Sequence, residues 1–526
     1  MSKLKLLKSA TSVGLVTTCS RVFGYVRDAS LAWVLGAGFG MDAFTVAYRL
    51  ANLFRRLVGE GAMSAAFVPV FVEYKTKNSA QELWDFTRKF FYTLALVTAA
   101  MVILEIVFAP VFVRIMAPGF IHIKNKFELC VLLTRMMAPY LALVSLAALL
   151  TGILNSFGKF IVPAFNPVYF NVSVILSALV AARFFPQPAV AVSLGVLLGG
   201  VLQVLMQIAA AKKVGMNFKI GFSFKHPMIR RVGFLLLPSI FGIGIVQINL
   251  LVDSLMASFL REGSVSQLYY ADRVMELVLG IFTISLATVI LPDMARSAAA
   301  KNMQELKKTL TFSLRVMAFV AIPATVGLFL MSSEIVKVLF ERGRFTAIDT
   351  DRTAVALCYY ALGLFFISAV RLIVQAFYSL QDTKTPVKVG AISLLLNIVL
   401  NWALMHPLKQ GGIALATSIA AAVSVIQLLY IFQKRYGLLD WKKLNESFLK
   451  ILISAGVMGL SCLTILRLIQ FDSHTALSWK IGGLFGTIAA GALIYCVVAF
   501  ILKAEDGIIF SRLWPKMGKS GRNPEV

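Results

Sequence analysis

Charged residues are scarce in this sequence. They make up 14% of its 526 residues, whereas 59% are hydrophobic, and the mean hydropathy is +0.82. Apolar runs of about 20 residues recur along the chain, which is the length that a helix needs to cross the hydrocarbon core of a bilayer. This composition excludes a soluble globular protein and predicts an all-α polytopic membrane protein.

Reactive side chains are also few. The 4 histidines lie one to each polar connection, and the 5 cysteines lie far apart without a C-x-x-C spacing. The sequence shows no nucleotide motif, no metal-ligand spacing of histidine and cysteine, and no histidine-based nucleophile system. We therefore expect a protein that is not an enzyme and that has no catalytic residues.

Acidic residues number half as many as basic ones, 25 against 51, and the formal net charge is +26. A nucleic-acid-binding protein gathers its basic residues on one soluble face, whereas here they are scattered between apolar runs. We therefore expect no nucleic acid among the partners.

The hydropathy pattern predicts fourteen membrane-spanning helices. Their ranges are approximately 11–34, 42–72, 90–113, 129–155, 160–183, 190–211, 229–259, 268–295, 309–331, 353–379, 386–405, 411–433, 447–469 and 480–502. Because the number of spans is even, both termini lie on one side of the membrane. About 31 of the 51 Lys and Arg residues lie in the termini and connections on that side, and about 12 lie in the connections on the opposite side. Because basic connections stay in the cytoplasm, both termini are predicted to be cytoplasmic.

Spacing along the chain predicts a duplicated six-helix unit. Pro69 precedes Pro163 by 94 residues, Pro292 precedes Pro386 by 94, and the two pairs are offset by 223. The stretches KKVG and KRYG match at nearly the same offset, as internal repeats of secondary transporters do. We predict an N-terminal six-helix lobe over 1–215, a C-terminal six-helix lobe over 216–437, and two extra helices with a basic cytoplasmic tail over 438–526.

Eight arginines are assigned to the interior of these spans, namely Arg21, Arg27, Arg49, Arg55, Arg56, Arg135, Arg273 and Arg371. A guanidinium in hydrocarbon costs about 2.5 to 3.5 kcal/mol, so these side chains should face a watery or protein-lined interior. Arginine also presents a planar fork of donors that matches phosphate or carboxylate.

Acidic residues accompany several of these arginines. Arg49, Asn52, Arg56 and Glu60 fall on one face of the second span, with Arg55 to one side. Arg21 and Asp28 share a face of the first span with Arg27 beside them, and Asp272, Arg273 and Glu276 are grouped in the eighth span. Two interpretations remain open for the acids, which are salt bridges between helices and support of a binding site. The excess of arginine in the first two spans favours binding of a mobile anion.

Four long stretches resemble one family of transporters. SRVFGYVRDASLAWVLGAGFGMDAF, NLFRRLVGEGAMSAAFVPVFVEYK, YYADRVMEL and FYSLQDTKTPVKV are similar, in this order, to segments of the MurJ (MviN) lipid II flippases, and the resemblance spans nearly the whole chain. That family belongs to the multidrug/oligosaccharidyl-lipid/polysaccharide exporter superfamily.

The resemblance implies two six-helix lobes around a cationic cavity, and two C-terminal helices that line a groove for the lipid tail. It further implies transport of lipid II, the undecaprenyl-diphosphate-linked peptidoglycan precursor, from the cytoplasmic to the periplasmic leaflet of the bacterial inner membrane. Membrane lipids and cell-wall synthases are the other partners implied. The important charged positions of the family fall on Arg21, Arg27, Asp42, Arg55, Arg56, Glu60 and Arg273.

A sodium ion is the one cofactor that the resemblance suggests. Some members resemble sodium-coupled transporters, and the matching oxygen ligands here are Asp253, Asn397, Asn401 and Thr417. Those members have a second carboxylate where this sequence has Asn401, so the site would carry less negative charge.

Two other functions are weighed against lipid II transport. An exporter of another polyprenyl-diphosphate-linked glycan would also use the arginines, whereas a drug exporter would more often have an acidic cavity for cationic substrates. A non-transporting scaffold of the cell-wall synthesis machinery would give the arginines inside the spans no purpose.

Overall fold

The computed structural model describes the backbone of residues 3–54, 63–469 and 476–504. Within these ranges the side chains of 3–13, 54, 63–65, 237–246, 281–289 and 477 are not described. The described backbone contains helices and turns and no strand, which confirms the predicted all-α class.

Eighteen α-helices are described in chain order. The first nine are α1 (Lys3–Leu35), α2 (Phe39–Phe54), α3 (Met63–Lys77), α4 (Ala80–Met116), α5 (Lys126–Met137), α6 (Tyr140–Ser156), α7 (Ile161–Ala164), α8 (Asn166–Leu176) and α9 (Pro188–Lys213). The others are α10 (Pro227–Ser258), α11 (Ser264–Ala299), α12 (Met303–Leu330), α13 (Ser332–Phe340), α14 (Ala347–Ser379), α15 (Lys384–Leu408), α16 (Gln410–Tyr436), α17 (Trp441–Ile469) and α18 (Leu477–Ile501).

Each predicted span coincides with helical backbone over most of its described residues. Ten helical segments of the described chain are long and apolar enough to cross a membrane, with mean hydropathies of 1.6 to 2.5. Two of them are built from consecutive helices, α5 with α6 and α7 with α8. The other four predicted spans correspond to α1, α2 with α3, α10 and α11, each of which includes side chains or residues outside the described set. The protein is therefore a multi-pass membrane protein.

Local sequence signals explain several helix ends. Ser79 and Glu82 form a capping box at the start of α4, because each side chain accepts a hydrogen bond from the other residue's backbone N–H. The helices α9 and α16 end within the repeated stretches KKVG and KRYG. The glycines of these stretches, Gly215 and Gly437, have φ of 101° and 88°. Glycine takes this left-handed conformation without strain, so the repeated glycines terminate equivalent helices.

The helices pack into two compact units. The first contains Met1–Ser266 with Arg342–Thr346, and the second contains Gln267–Glu341 with Ala347–Val526. In the first unit α9 packs against α6 and α8, and in the second α16 packs against α14 and α15. The same neighbours thus recur at the repeat offset. The units follow packing, and the lobe boundaries proposed from the sequence at 215 and 437 remain a prediction.

The lipid-facing character of the helices is visible on α4. The side chains of Ile103, Leu104, Val107, Phe108 and Val111 are each about half exposed or more. Exposed side chains of this size form a large apolar surface, which water would disfavour and acyl chains would cover.

Close packing of α14 against α16 yields a stability prediction. A Cβ on Gly363 would lie 2.5 Å from Ser418 Oγ and 2.9 Å from Ser418 Cα. We expect Gly363→Val to destabilise the protein by about 1 to 3 kcal/mol, because the backbones must separate. Thermal unfolding in detergent measures this effect. Gly327→Val on α12 is the matched control, since a Cβ there meets no atom within 4 Å. Equal melting temperatures for the two variants would contradict the prediction.

Candidate functional site

The arginine near the end of α1 is fixed by three neighbours. Arg27 pairs with Asp28, with Nη2 2.7 Å from Oδ1, and its Nη1 donates a hydrogen bond to Asn171 Oδ1 at 3.1 Å. The guanidinium also lies 5.9 Å from the centre of the Phe170 ring. Asp28 is buried and Arg27 half-buried. On the first predicted span, the ion pair of Arg27 and Asp28 therefore lies within a single helix.

Arg27 lines a cavity of about 370 Å³ inside the first unit. Its walls come from α1, α2 and α6–α9, and the side chains that give it polar and aromatic character are Arg27, Tyr48, Tyr140, Asn166, Phe170, Asn171 and Gln203. Asn166, Asn171 and Gln203 were not predicted from the sequence. A neutral amide inside an apolar run carries no charge, so only its polarity in an otherwise apolar span could have indicated it.

Of the other arginines predicted for the first two spans, Arg21 and Arg49 belong to the described residues, and Arg55 and Arg56 do not. Arg21 on α1 is exposed, and Arg49 on α2 donates a hydrogen bond to Ser254 Oγ of α10. Arg55, Arg56 and Glu60 lie outside the described residues. The predicted polar stripe on the second span is therefore described only at Arg49 and Asn52.

The cluster predicted on the eighth span lies on α11. Arg273 Nη1 is 2.5 Å from Glu276 Oε2, and the guanidinium lies 5.0 Å from the centre of the Tyr269 ring. Asp272 is half-buried beside Arg273 in sequence. Arg273 thus has an acidic and an aromatic partner on its own helix, whereas the aromatic partner of Arg27 lies on α8.

Asp42, predicted as a substrate contact, lies in the protein interior with its side chain 1% exposed. Lys126 Nζ is 2.8 Å from Oδ2, which also accepts from the backbone N–H of Gly263 at 2.8 Å. Oδ1 accepts from the N–H of Ser266 at 2.9 Å and from the Ser266 hydroxyl. Both oxygens are thus engaged by the protein, so in this structure Asp42 caps the start of α11, and its contact with a substrate stays a prediction.

A second carboxylate caps the start of α2. Glu262 Oε1 accepts a hydrogen bond from the N–H of Phe39 at 3.0 Å. Asp42 of α2 therefore stabilises the N-terminus of α11, and Glu262, which lies just before α11, stabilises the N-terminus of α2. A negative charge at a helix N-terminus is favourable because the unpaired N–H groups leave partial positive charge there.

Three of the four side chains predicted to bind sodium lie together in the second unit. Asn401 Nδ2 donates to Asn397 Oδ1 at 2.9 Å, and Asn397 Nδ2 donates to Thr417 Oγ1 at 3.3 Å. Asp253 belongs to the first unit, where it is buried on α10. Among the described residues no group of three or more His, Cys, Asp or Glu side chains could hold a metal ion. The four-residue sodium site stays a prediction.

The stretch FYSLQDTKTPVKV contains a cluster of polar contacts around Asp382, just before α15 begins. Asp382 accepts hydrogen bonds from the N–H of Thr385 at 3.0 Å and from its hydroxyl at 2.6 Å. Arg435 Nη1, at the end of α16, lies 2.7 Å from Asp382 Oδ2. Burial raises the pKa of Asp382, but the hydrogen bonds from Thr385 and the charge of Arg435 outweigh it and hold that pKa below its ordinary value.

The buried pair of Lys126 and Asp42 should be important for stability. Replacing Lys126 with Met leaves a buried carboxylate without its counter-ion, which costs roughly 3 to 5 kcal/mol. We expect a lower melting temperature in detergent for Lys126→Met, with part of the loss restored by adding Asp42→Asn. Lys308→Met is the control, because its pair with Glu305 is exposed. A Lys126→Met melting temperature equal to that of the control would refute the structural role of the pair.

The polar cluster around Asp382 should make the stability of the folded protein depend on pH. Because its pKa is lower in the folded protein than the value of about 3.9 for a free aspartate, its contribution is complete above that value and is lost as the pH falls through the folded pKa. We therefore expect Asp382→Asn to flatten the decline in melting temperature below about pH 4. The parent and Glu305→Gln, which alters an exposed pair, should decline alike. Identical acid profiles for Asp382→Asn and the parent would disprove the linkage.

Comparison with known proteins places the chain in one family. The profile of the family described as "Lipid II flippase MurJ" matches residues 31–481. The chain is 36% identical over 510 residues to a "Probable lipid II flippase MurJ" of Vibrio cholerae, covering 95% of this chain and 96% of the relative. It is 34% identical over 505 residues to the protein of that name from Rickettsia prowazekii, covering 96% and 99%.

Solved structures agree with this placement. A structure described as "Lipid II flippase MurJ, inward closed conformation" has a TM-score of 0.77 at 28% identity, covering 94% of this chain and 99% of that one. An inward-facing multidrug transporter of the MATE family and the MOP superfamily has a TM-score of 0.67 at 12% identity, covering 80% and 98%, and shows the shared fold alone. The chain therefore belongs to the MurJ family of lipid II flippases.

Proposed function

We propose that this protein moves lipid II from the cytoplasmic to the periplasmic leaflet of the bacterial inner membrane by alternating access. The observation that carries the proposal is the match to lipid II flippases over nearly the full length of both chains. Like the other members of its family, the protein is a transporter and not an enzyme. An exporter of another polyprenyl-diphosphate glycan would need the same cationic residues, but the family match favours lipid II.

The arginines are proposed to bind the diphosphate of the substrate. Arg27 and Arg273 are each held by a carboxylate and by an aromatic ring, so their side chains are ordered before any ligand arrives. An ordered guanidinium fork loses less conformational freedom when it binds phosphate oxygens. Arg21, Arg55 and Arg56 are proposed to contribute further positive charge from the first two spans.

The setting of the protein follows from the same proposal. The concentration of basic residues in alternate connections supports cytoplasmic N and C termini. Lipid II delivered to the outer leaflet is consumed by cell-wall synthases, so we propose these enzymes as partners and peptidoglycan biosynthesis as the process served.

The diphosphate role predicts how arginine variants behave. We expect Arg27→Ala and Arg273→Ala to fail to support growth of flippase-depleted cells, and Arg27→Lys to restore growth poorly, because a lysine cannot make the bidentate contact. Losing a charge-assisted hydrogen bond should weaken binding of purified lipid II by roughly 10- to 100-fold.

Controls separate this role from folding. Arg296 lies on the same helix as Arg273 and forms an exposed pair with Asp293 at the same i, i+3 spacing. Arg296→Ala should keep growth and lipid II binding, and membrane levels of all variants should match the parent. Full growth with both Arg27→Ala and Arg273→Ala would rule out the assigned arginines, and failure of the parent to bind lipid II would overturn the proposed function.

A further inference from the structure

The cavity beside Arg27 has a chemical character that its arginine alone does not explain. It is a partly open cavity formed by helices of the first unit and holds about 370 Å³, which lies in the range of about 300 to 1,000 Å³ of small-molecule sites. Its described lining contains one basic side chain, no acidic side chain, and a set of amides and aromatic rings. A space of this size lined by such groups is suited to a polar organic ligand.

Two amide oxygens of the lining have no hydrogen-bond partner within the protein. Gln203 Nε2 donates to the carbonyl of Asn166 at 2.8 Å, and this bond leaves Gln203 Oε1 as an acceptor without a donor. Asn166 Nδ2 points to Thr151 Oγ1 at 3.4 Å, and Asn166 Oδ1 is likewise without a donor. Buried acceptors without a donor are costly, so a ligand that brings hydroxyl or amide N–H groups would relieve this cost.

Aromatic rings form the second element of the lining. Phe170 lies between Tyr48 and Tyr140, with ring centres 6.2 and 5.6 Å away. Rings of this kind pack against the C–H faces of a flat, amphipathic ligand, while their hydroxyl groups can reach its polar edge.

Charge excludes two classes of occupant. A cationic ligand would meet Arg27 and no acid in the described lining. An anion could pair with Arg27 at the wall of the cavity, but the amide oxygens that lack donors would repel an anion deeper inside it. A neutral ligand with many hydroxyl groups and apolar C–H faces satisfies the amide oxygens and the rings together, and a sugar ring has these properties.

We propose that this cavity is a subsite for a sugar ring of the lipid-linked precursor. The inference rests on the proposed function, because it assigns part of the same substrate. Asn166 and Gln203 accept hydrogen bonds from the sugar, and Tyr48, Tyr140 and Phe170 pack against its face. Arg27, held by Asn171 at the wall of the cavity, reaches the diphosphate to which the sugar is attached.

Binding of three lipids by purified protein tests the subsite. The probes are undecaprenyl diphosphate, the undecaprenyl-diphosphate-linked disaccharide without a stem peptide, and complete lipid II. Gln203→Leu removes the acceptor at nearly constant volume, so it should weaken binding of both sugar-bearing lipids roughly tenfold and leave undecaprenyl diphosphate unaffected. Arg27→Ala should weaken the binding of all three lipids.

Gln427→Leu is the matched control, because Gln427 lies on α16 in the second unit, its Oε1 also has no donor, and it does not line the cavity. It should bind all three lipids as the parent does. Ala148→Leu, which narrows the cavity from another helix, should reproduce the effect of Gln203→Leu and keeps the test decisive if Gln203→Leu folds poorly.

The other outcomes distinguish failure of the subsite from failure of the proposed function. Equal affinity of Gln203→Leu and Ala148→Leu for sugar-bearing lipids, with lipid II still bound by the parent, would overturn the subsite and leave the proposed function intact. A loss confined to the lipid that carries the stem peptide would also overturn it, because the cavity would then hold the peptide. If the parent binds neither sugar-bearing lipid, the proposed function itself fails.

Discussion

The buried ion pair of Asp42 and Lys126 is the interaction on which much of the first unit depends. Both side chains are 1% exposed, so the pair is tolerable only because the surrounding polar groups complete its hydrogen bonding. The N–H groups of Gly263 and Ser266 supply these bonds on one side, and the Phe120 ring lies 4.5 Å from Lys126 Nζ on the other. One carboxylate thereby connects α2, α5 and the start of α11, three elements that are distant in sequence.

The same cost of burying charge explains how the arginines are held. Arg27 and Arg273 each have an acidic neighbour on the same helix, one residue or one turn away, and an aromatic ring under the guanidinium. A local partner lets an arginine remain inside a membrane-spanning helix without relying on a second helix. Arg273 is thus positioned by partners on its own helix, whereas Arg27 also depends on Asn171 and Phe170 of α8.

This division between local and distant interactions also explains what could be predicted from the sequence. The helical spans follow from the hydropathy pattern, and ten of them are found in the described part of the chain. The glycines that end α9 and α16 and the ion pair of Arg273 with Glu276 likewise depend on residues close together in sequence. Lys126 was assigned to a polar connection, because nothing near it indicates a partner 84 residues away. Gln203 was missed for a related reason, since a lone amide in an apolar run has no charge that demands a partner.

The two halves of the duplicated chain have used the same helix packing for different purposes. In the first unit, α6, α8 and α9 line a cavity at which two amide oxygens, those of Asn166 and Gln203, lack hydrogen-bond donors. In the second unit, the equivalent α14 and α16 are in close contact at Gly363, and Asn397, Asn401 and Thr417 hydrogen-bond to one another. The Asn397 side chain both donates to Thr417 and accepts from Asn401, so it would gain less from a hydrogen-bonding ligand than Gln203, whose Oε1 has no donor. A few buried polar residues therefore make one half of a repeated scaffold differ from the other in the ligand it can bind, and the proposed sugar subsite of the first unit depends on this difference.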